Sequence, residues 1–316
     1  MPKEIIISSE DDGLKPKNFL KKKLDVPFYK IITLIKEKRI TLNKKKIKQD
    51  DVLRSGDIIK IWLDDIQINE KVKYQKNAQN LGLECIFDNQ DFAVFNKTSG
   101  IVVQGSQEEN ISISLHLAWY KQHIKDNTDF EYFHAHRLDK DTSGCIVIAK
   151  NINALRELNR IFRDKDIIKQ YICLCCGIFE NKKGRIEQYM LKNPQGSREK
   201  MRICSKSEKD SKLSISEYDV IGEYEYKNEQ FSLVKVNIKT GITHQIRCHM
   251  KFLGHPVVMD SMYGNSVVNT MFADLLNRQF LHAEHIEFSY NGKKNSFCAR
   301  LTQDLENTLK KINKIL

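Results

Sequence analysis

No run in this 316-residue chain approaches the ~20 consecutive apolar residues that a membrane-spanning helix needs. The N-terminus, Met1-Pro2-Lys3-Glu4-Ile5-Ile6-Ile7-Ser8-Ser9-Glu10, lacks the long apolar core of a signal peptide. No membrane association is expected, and the expected location is the cytoplasm. Metal and disulfide signals are missing as well. Cys173, Cys175 and Cys176 lie too close together for zinc knuckles, the other five cysteines are scattered, and the nine histidines never form a chelating set. Reduced, buried cysteines and no metal are therefore expected. There is no internal repeat or low-complexity tract, and no pair of carboxylates in a motif suited to glycoside hydrolysis.

What is present is positive charge in one place. Of a net charge of +11, the segment Lys15 to Lys60 carries +10, with fifteen Lys or Arg against five Asp or Glu. A solvated basic face would look similar, but this density on a small folded unit marks a polyanion partner. Within it, Leu14–Leu24 and Phe28–Glu37 read as helices, and Phe28, Ile31, Ile32 and Ile35 form one apolar stripe. Arg39 to Asn43 alternates as a strand, Lys44, Lys45 and Lys46 occupy a basic turn, and Ser55-Gly56-Asp57 turns into a closing strand.

Residues 66–80 are polar and read as a linker, with the main domain over 81–316. There, Leu83–Asn89 and Phe92–Lys97 read as a hairpin, Asn110 and Asn151 as helix N-caps, and Ile167–Gly177 as a strand. In the second capped helix Ile152, Leu155, Leu158, Ile161 and Phe162 point inward, leaving Arg156, Arg160 and Arg163 on a solvated face. Residues Leu191 to Lys212 form a charged hairpin or loop, and Thr243 caps a helix ending near Gly254.

One stretch is organised differently. His136-Arg137-Leu138-Asp139, followed by Thr142-Ser143-Gly144 and the apolar run Cys145–Ala149, pins a carboxylate in a loop at the start of a buried strand. An isolated Asp there ordinarily caps the turn, through the N–H and hydroxyl groups of Thr142 and Ser143. The string, however, resembles the catalytic signature of RluA-type pseudouridine synthases. Lys169-Gln170-Tyr171 resembles the family's Lys-x-Tyr motif. Lys239-Thr240-Gly241-Ile242-Thr243-His244-Gln245-Ile246-Arg247 resembles its Arg-Thr-Gly-Arg-Thr-His-Gln-Ile-Arg motif, with two arginines replaced. Asn96-Lys97-Thr98-Ser99-Gly100 resembles a further family run without its proline. Leu253-Gly254-His255-Pro256, Tyr263-Gly264 and Phe280-Leu281-His282-Ala283 resemble the remaining landmarks, nearest to those of the large-subunit rRNA enzymes.

The resemblance implies an α+β fold: a mixed, mainly antiparallel catalytic domain preceded by a small alpha-L (S-four-like) RNA-binding domain over residues 1–65. It implies Asp139 as the catalytic carboxylate, acting either as nucleophile or on a sugar proton, Arg247 as its partner, and Tyr171 against the target base. RNA contacts are expected from Arg137, Lys97, Lys44, Lys45, Lys46, Arg39 and Lys239, and His244 is expected to fix its loop by hydrogen bonding. The implied reaction is an isomerisation needing no cofactor. The implied partner is structured RNA, foremost large-subunit rRNA, without DNA, and the chain is expected to be a monomer. The same chemistry on tRNA, and a non-catalytic RNA-binding assembly factor, stay open on the sequence.

Overall fold

The computed structural model describes residues 3–24, 31, 34–35, 37–48, 51–62, 78–103, 111–128, 130–164, 166–193 and 200–315. The chain divides into two compact units, Met1–Lys76 and Asn77–Leu316. Most of the 66–80 segment lies outside the described residues.

The first unit contains β1 (Lys3–Ile6), α1 (Pro16–Lys23), β2 (Ile40–Leu42), β3 (Lys45–Lys46) and β4 (Ile58–Ile61). Pro16 opens α1 at a position whose N–H has no intrahelical partner, so its missing donor costs nothing. The second expected helix falls mostly outside the described residues, but Ile31, Leu34 and Ile35 are helical and buried with Phe19, Leu20, Ile40, Ile59 and Ile61. The sheet runs β1-β4-β2-β3, all antiparallel. Asn43 and Lys44 both take positive φ, 49° and 64°, the geometry of a two-residue hairpin turn. A turn that short leaves Lys45 and Lys46 to pair with Leu42 and Thr41, so these two lysines stand on a strand rather than in the turn.

The second unit is built from β5 (Glu84–Asp88), β6 (Phe92–Lys97), α2 (Ile113–His123), β7 (Phe133–His134), β8 (Ser143–Ala149), α3 (Ile152–Asp164), β9 (Ile167–Cys176), β10 (Lys183–Lys192), β11 (Met201–Cys204), β12 (Lys212–Tyr226), β13 (Glu229–Ile238), α4 (Gln245–Phe252), α5 (Ser266–Phe272), β14 (Leu281–Tyr290), β15 (Lys293–Cys298), α6 (Gln303–Lys311) and β16 (Asn313–Lys314). Its sheet runs β11-β10-β12-β13-β9-β14-β8-β6-β5, with β7, β15 and β16 attached beside it. Among the described strands only β8 and β14 pair in parallel, so the expected mixed, mainly antiparallel α+β fold is what the chain adopts.

Both sheet faces are covered, which is why β8 reads as an unbroken apolar run. Ile146 and Ile148 join one cluster with Phe95, Tyr171 and Cys173, whereas Cys145, Val147 and Ala149 join another with Ala154, Leu158 and Ile161 of α3. The Asn151 side chain accepts the Ala154 N–H at 2.8 Å and so caps α3 as expected. Ile152, in the first turn, is exposed rather than inside. Asn110 lies outside the described residues, and α2 starts after Ser112 without a side-chain cap. Gly144 sits where β8 meets β14, with φ +115°, and a Cβ there would lie 2.2 Å from the Ala283 carbonyl oxygen. Only glycine permits that approach.

Candidate active site

In the loop from His136 to Thr142, between β7 and β8, the turn after Asp139 closes without the Asp139 carboxylate. The Thr142 N–H donates to the Asp139 backbone carbonyl at 3.1 Å. The Thr142 hydroxyl accepts from Gln279 Nε2 at 2.8 Å, and the Ser143 hydroxyl pairs with His282 Nδ1 at 2.8 Å. The carboxylate is thereby released from the capping role that an Asp before a turn usually fills.

Two buried cations hold this loop through its carbonyls. Lys97 Nζ donates to the carbonyl oxygens of Lys140 at 2.9 Å, Thr98 at 2.9 Å and Ile101 at 3.0 Å. Arg278 Nη1 donates to the Asp141 carbonyl at 3.2 Å, while its Nε and Nη2 chelate Asp304. The expectation that Lys97 lies on the RNA path is therefore corrected: no part of it is exposed. Its ammonium has three donors, which the three carbonyls take up. Burial, which the Asp141 charge only partly offsets, pulls its pKa down to about 7.

Helix α4 supplies the partner of Asp139. His244, at φ 55° and ψ 20°, is the left-handed residue that precedes the helix, in place of the expected Thr243 cap. The entry is fixed by Gln245, whose Nε2 donates to the Ile215 carbonyl and to the Ser216 hydroxyl, both at 2.9 Å, while its Oε1 accepts from the Thr240 hydroxyl at 2.7 Å. Residues Gln245 to Met250 are all buried, so the helix has one seating. From it Arg247 Nη1 reaches Asp139 Oδ2 at 3.2 Å. The other edge of the guanidinium meets Asp260, Nε to Oδ2 at 2.6 Å and Nη2 to Oδ1 at 2.9 Å. Burial of Arg247 opposes its charge, but the Asp260 hydrogen bonds and the charges of Asp260 and Asp139 prevail and hold its pKa above the ordinary value. Asp260 is held below the usual carboxylate range, because the Arg247 hydrogen bonds and charge outweigh its burial.

Asp139, Arg247 and Tyr171 line one cavity of about 360 Å³, together with Arg137 and Lys169. Leu138, Ile238, Ile246 and Leu281 give it apolar wall. Tyr171 comes from β9; burial, and then the Asp139 charge, push its hydroxyl above its ordinary pKa and keep it a neutral phenol. His244 stands 3.9 Å from Asp139 Oδ2 through Nε2, with Nδ1 3.2 Å from the Tyr263 hydroxyl, in keeping with a loop-fixing side chain. Burial holds its pKa below the ordinary value, against the Asp139 charge.

Of the remaining expected RNA contacts, Arg137 is exposed in the cavity wall, and Lys239 is exposed and paired with Glu217 at 2.9 Å. Lys44, Lys45 and Lys46 are exposed and Arg39 half-buried on the first unit. The sequence reading missed Asp260 and Arg278. Arg163 is on a solvated face as expected, paired with Asp164 at 2.9 Å, and also borders the cavity. The one available signal for Asp260 was its place just before the Tyr263-Gly264 landmark. Among the described residues no group of three or more His, Cys, Asp or Glu could hold a metal, and no helix is long and apolar enough to cross a membrane.

Comparison with known proteins adds an independent line. The ribosomal large subunit pseudouridine synthase C of Haemophilus influenzae is 32% identical over 319 residues, spanning 98% of this chain and 95% of that protein. The protein of the same name from Escherichia coli K12 is 29% identical, spanning 92% and 89%. The solved structure of human RNA pseudouridylate synthase domain containing 1 shares the fold, with a TM-score of 0.61 and 24% identity over 74% of this chain and 89% of that one. Residues 91–252, which run from β6 through α4 and include Asp139, Tyr171 and Arg247, match the family model for RNA pseudouridylate synthase. The chain belongs to the RNA pseudouridylate synthase family.

Proposed function

We propose that this chain isomerises specific uridines of large-subunit ribosomal RNA to pseudouridine, with Asp139 as the catalytic carboxylate. The observation that carries the reading is the Asp139–Arg247 pair. The carboxylate lies in the wall of a cavity, held by one hydrogen bond at Oδ2, and Oδ1 has no hydrogen-bond partner among the described residues. The curated relatives' names, which specify the ribosomal large subunit, support rRNA over the tRNA and assembly-factor readings.

The chemistry follows from the geometry. A base inside a helix is sterically shielded, so the target uridine leaves its stack and enters the cavity. About 360 Å³ lies at the small end of the roughly 300–1,000 Å³ range of ligand pockets and suits one nucleoside. The bond from C1′ to the uracil nitrogen is exchanged for one to ring carbon C5, with a proton lost at C5 and one gained at the freed nitrogen. Atoms and oxidation state balance without a cofactor. Asp139 acts as a carboxylate whether it attacks the sugar or removes a sugar proton, and the adjacent Arg247 guanidinium orients it. Tyr171 offers a flat ring to the uracil and a neutral hydroxyl for proton transfer.

Affinity comes from the basic first unit, which resembles an alpha-L domain. Its exposed Lys44, Lys45 and Lys46, with Arg39, neutralise phosphates. On the catalytic unit, the exposed Arg137 and Lys239 are further RNA contacts. The enzyme works in the cytoplasm, where its substrate is. The test is to map pseudouridines in large-subunit rRNA incubated with the wild-type protein and with Asp139→Ala. Sites that appear only with the wild type support the assignment; rRNA left unmodified by the wild type, or modified equally by both, overturns it.

A further inference from the structure

The guanidinium of Arg247 has two faces to offer, and the structure divides them unequally. The Nε–Nη2 fork, the edge best suited to bidentate pairing with a carboxylate, is occupied by Asp260, at 2.6 and 2.9 Å. Asp139 receives a single, longer bond of 3.2 Å from Nη1. Asp260 is itself immobilised: its side chain has no exposure, and Oδ1 also accepts the backbone N–H groups of Met262 at 2.8 Å and Tyr263 at 2.9 Å. The Tyr263 ring stands 5.2 Å from the guanidinium carbon, and its hydroxyl accepts the Met201 N–H at 2.7 Å.

We infer that Asp260 is a positioning residue. By occupying the Arg247 fork it restricts the arginine to one hydrogen bond with Asp139, leaving that carboxylate oriented but not chelated, and Oδ1 open to the substrate. Two opposed requirements are met at once. The reacting carboxylate must be held in place, which the Arg247 hydrogen bond does, yet a carboxylate locked bidentately on arginine is a poor nucleophile and a poor base. With Asp260 present, Arg247 sits between two carboxylates and its charge is shared. Without it, the full positive charge and the freed fork would turn to Asp139. The inference rests on the assignment of Asp139 as the reacting carboxylate.

The test compares kcat and KM for the full-length wild type, Asp260→Asn and Asp260→Glu, with transcribed large-subunit rRNA as substrate. Loss of the Asp260 carboxylate is expected to lower kcat per folded molecule about tenfold or more, with KM little changed. Asp260→Glu, which keeps a carboxylate for the Arg247 fork, is expected to recover kcat. A purely structural residue would lower the amount of active protein and leave kcat per folded molecule in place, and that outcome overturns the inference. Should Asp260→Asn not fold, nitrogen-15 NMR of Arg247 in Asp139→Asn decides. Arg247 Nε–H signals as immobile as in the wild type support anchoring by Asp260, and a guanidinium set free by loss of Asp139 overturns it. Turnover by Asp139→Asn itself would instead refute the underlying assignment, a result separate from either.

Discussion

Lys97 Nζ lies 2.9 Å from the carbonyl oxygen of Lys140, the residue that follows Asp139, and the lysine has no exposed surface. The cation is thus built into the underside of the loop. Burial holds its pKa at about 7 in the folded chain, against ~10.4 unfolded. Between those values the unfolded chain binds the extra proton, so the Lys97 contribution to stability rises with pH across that window. Lys97→Met should be less stable than the wild type by about 2–4 kcal/mol near pH 7, because three carbonyls lose a donor. The deficit should widen as pH rises toward 10, and urea unfolding at pH 6.5, 8 and 9.5 measures it. A gap that stays flat would refute the assigned titration.

Asp139→Asn should abolish pseudouridine formation while RNA affinity stays within about threefold, because the carboxamide fills the same space and the basic surfaces are untouched. Filter binding alongside the turnover assay separates the two effects.

For Tyr171 the ring and the hydroxyl are separable. Tyr171→Phe keeps the ring, so KM should stay within about twofold while kcat falls by roughly 10²–10⁴ if the phenol handles a proton. Tyr171→Ala should raise KM as well, since the base loses its stacking surface. Equal kinetics for Phe and wild type would confine the residue to stacking.

Gly144→Ala would drive a Cβ to 2.2 Å from backbone at Ala283, at a φ of +115° that alanine tolerates poorly. The β8–β14 pairing must then open. A loss of about 3 kcal/mol or more is expected in denaturant unfolding, with activity falling in parallel because the Asp139 loop leads directly into this strand. Wild-type stability would mean that the pairing is looser than described.

Replacing Lys44, Lys45 and Lys46 together by alanine should weaken RNA binding and reduce the slope of log K against log salt by about 2–3, one charge released per lysine lost. The measurement is a salt titration of binding. An unchanged slope would place the polyanion contact elsewhere.

The sequence made much of this legible, for identifiable reasons. Strands buried on both faces show themselves as apolar runs, as at Cys145–Ala149, and Asn151 is a cap that its neighbours make obvious. Asp139 and Arg247, by contrast, are 108 positions apart, and no periodicity links them; a motif resemblance did. Lys97 was misread because a lysine at a strand end is indistinguishable from a surface lysine until the carbonyls around it are known. Asp260 escaped for a related reason. It is an aspartate in a turn, and what distinguishes it from any other is an arginine thirteen residues earlier, on a different element. The register of the Lys45–Lys46 strand went astray through turn length, since two residues at positive φ complete the reversal.

The parallel contact between β8 and β14, with the Arg278–Asp304 clamp beside it, joins positions near 143 to positions beyond 280. A chain made from its N-terminus can fold its first unit and its early hairpins while the rest is still being synthesised, but it cannot close this seam. The loop carrying Asp139 therefore reaches its working shape only after nearly all of the polypeptide exists. Contacts of such long range close slowly against the entropy of the intervening chain. Activity is then one of the last properties the molecule acquires, and a nascent or C-terminally truncated form would lack it.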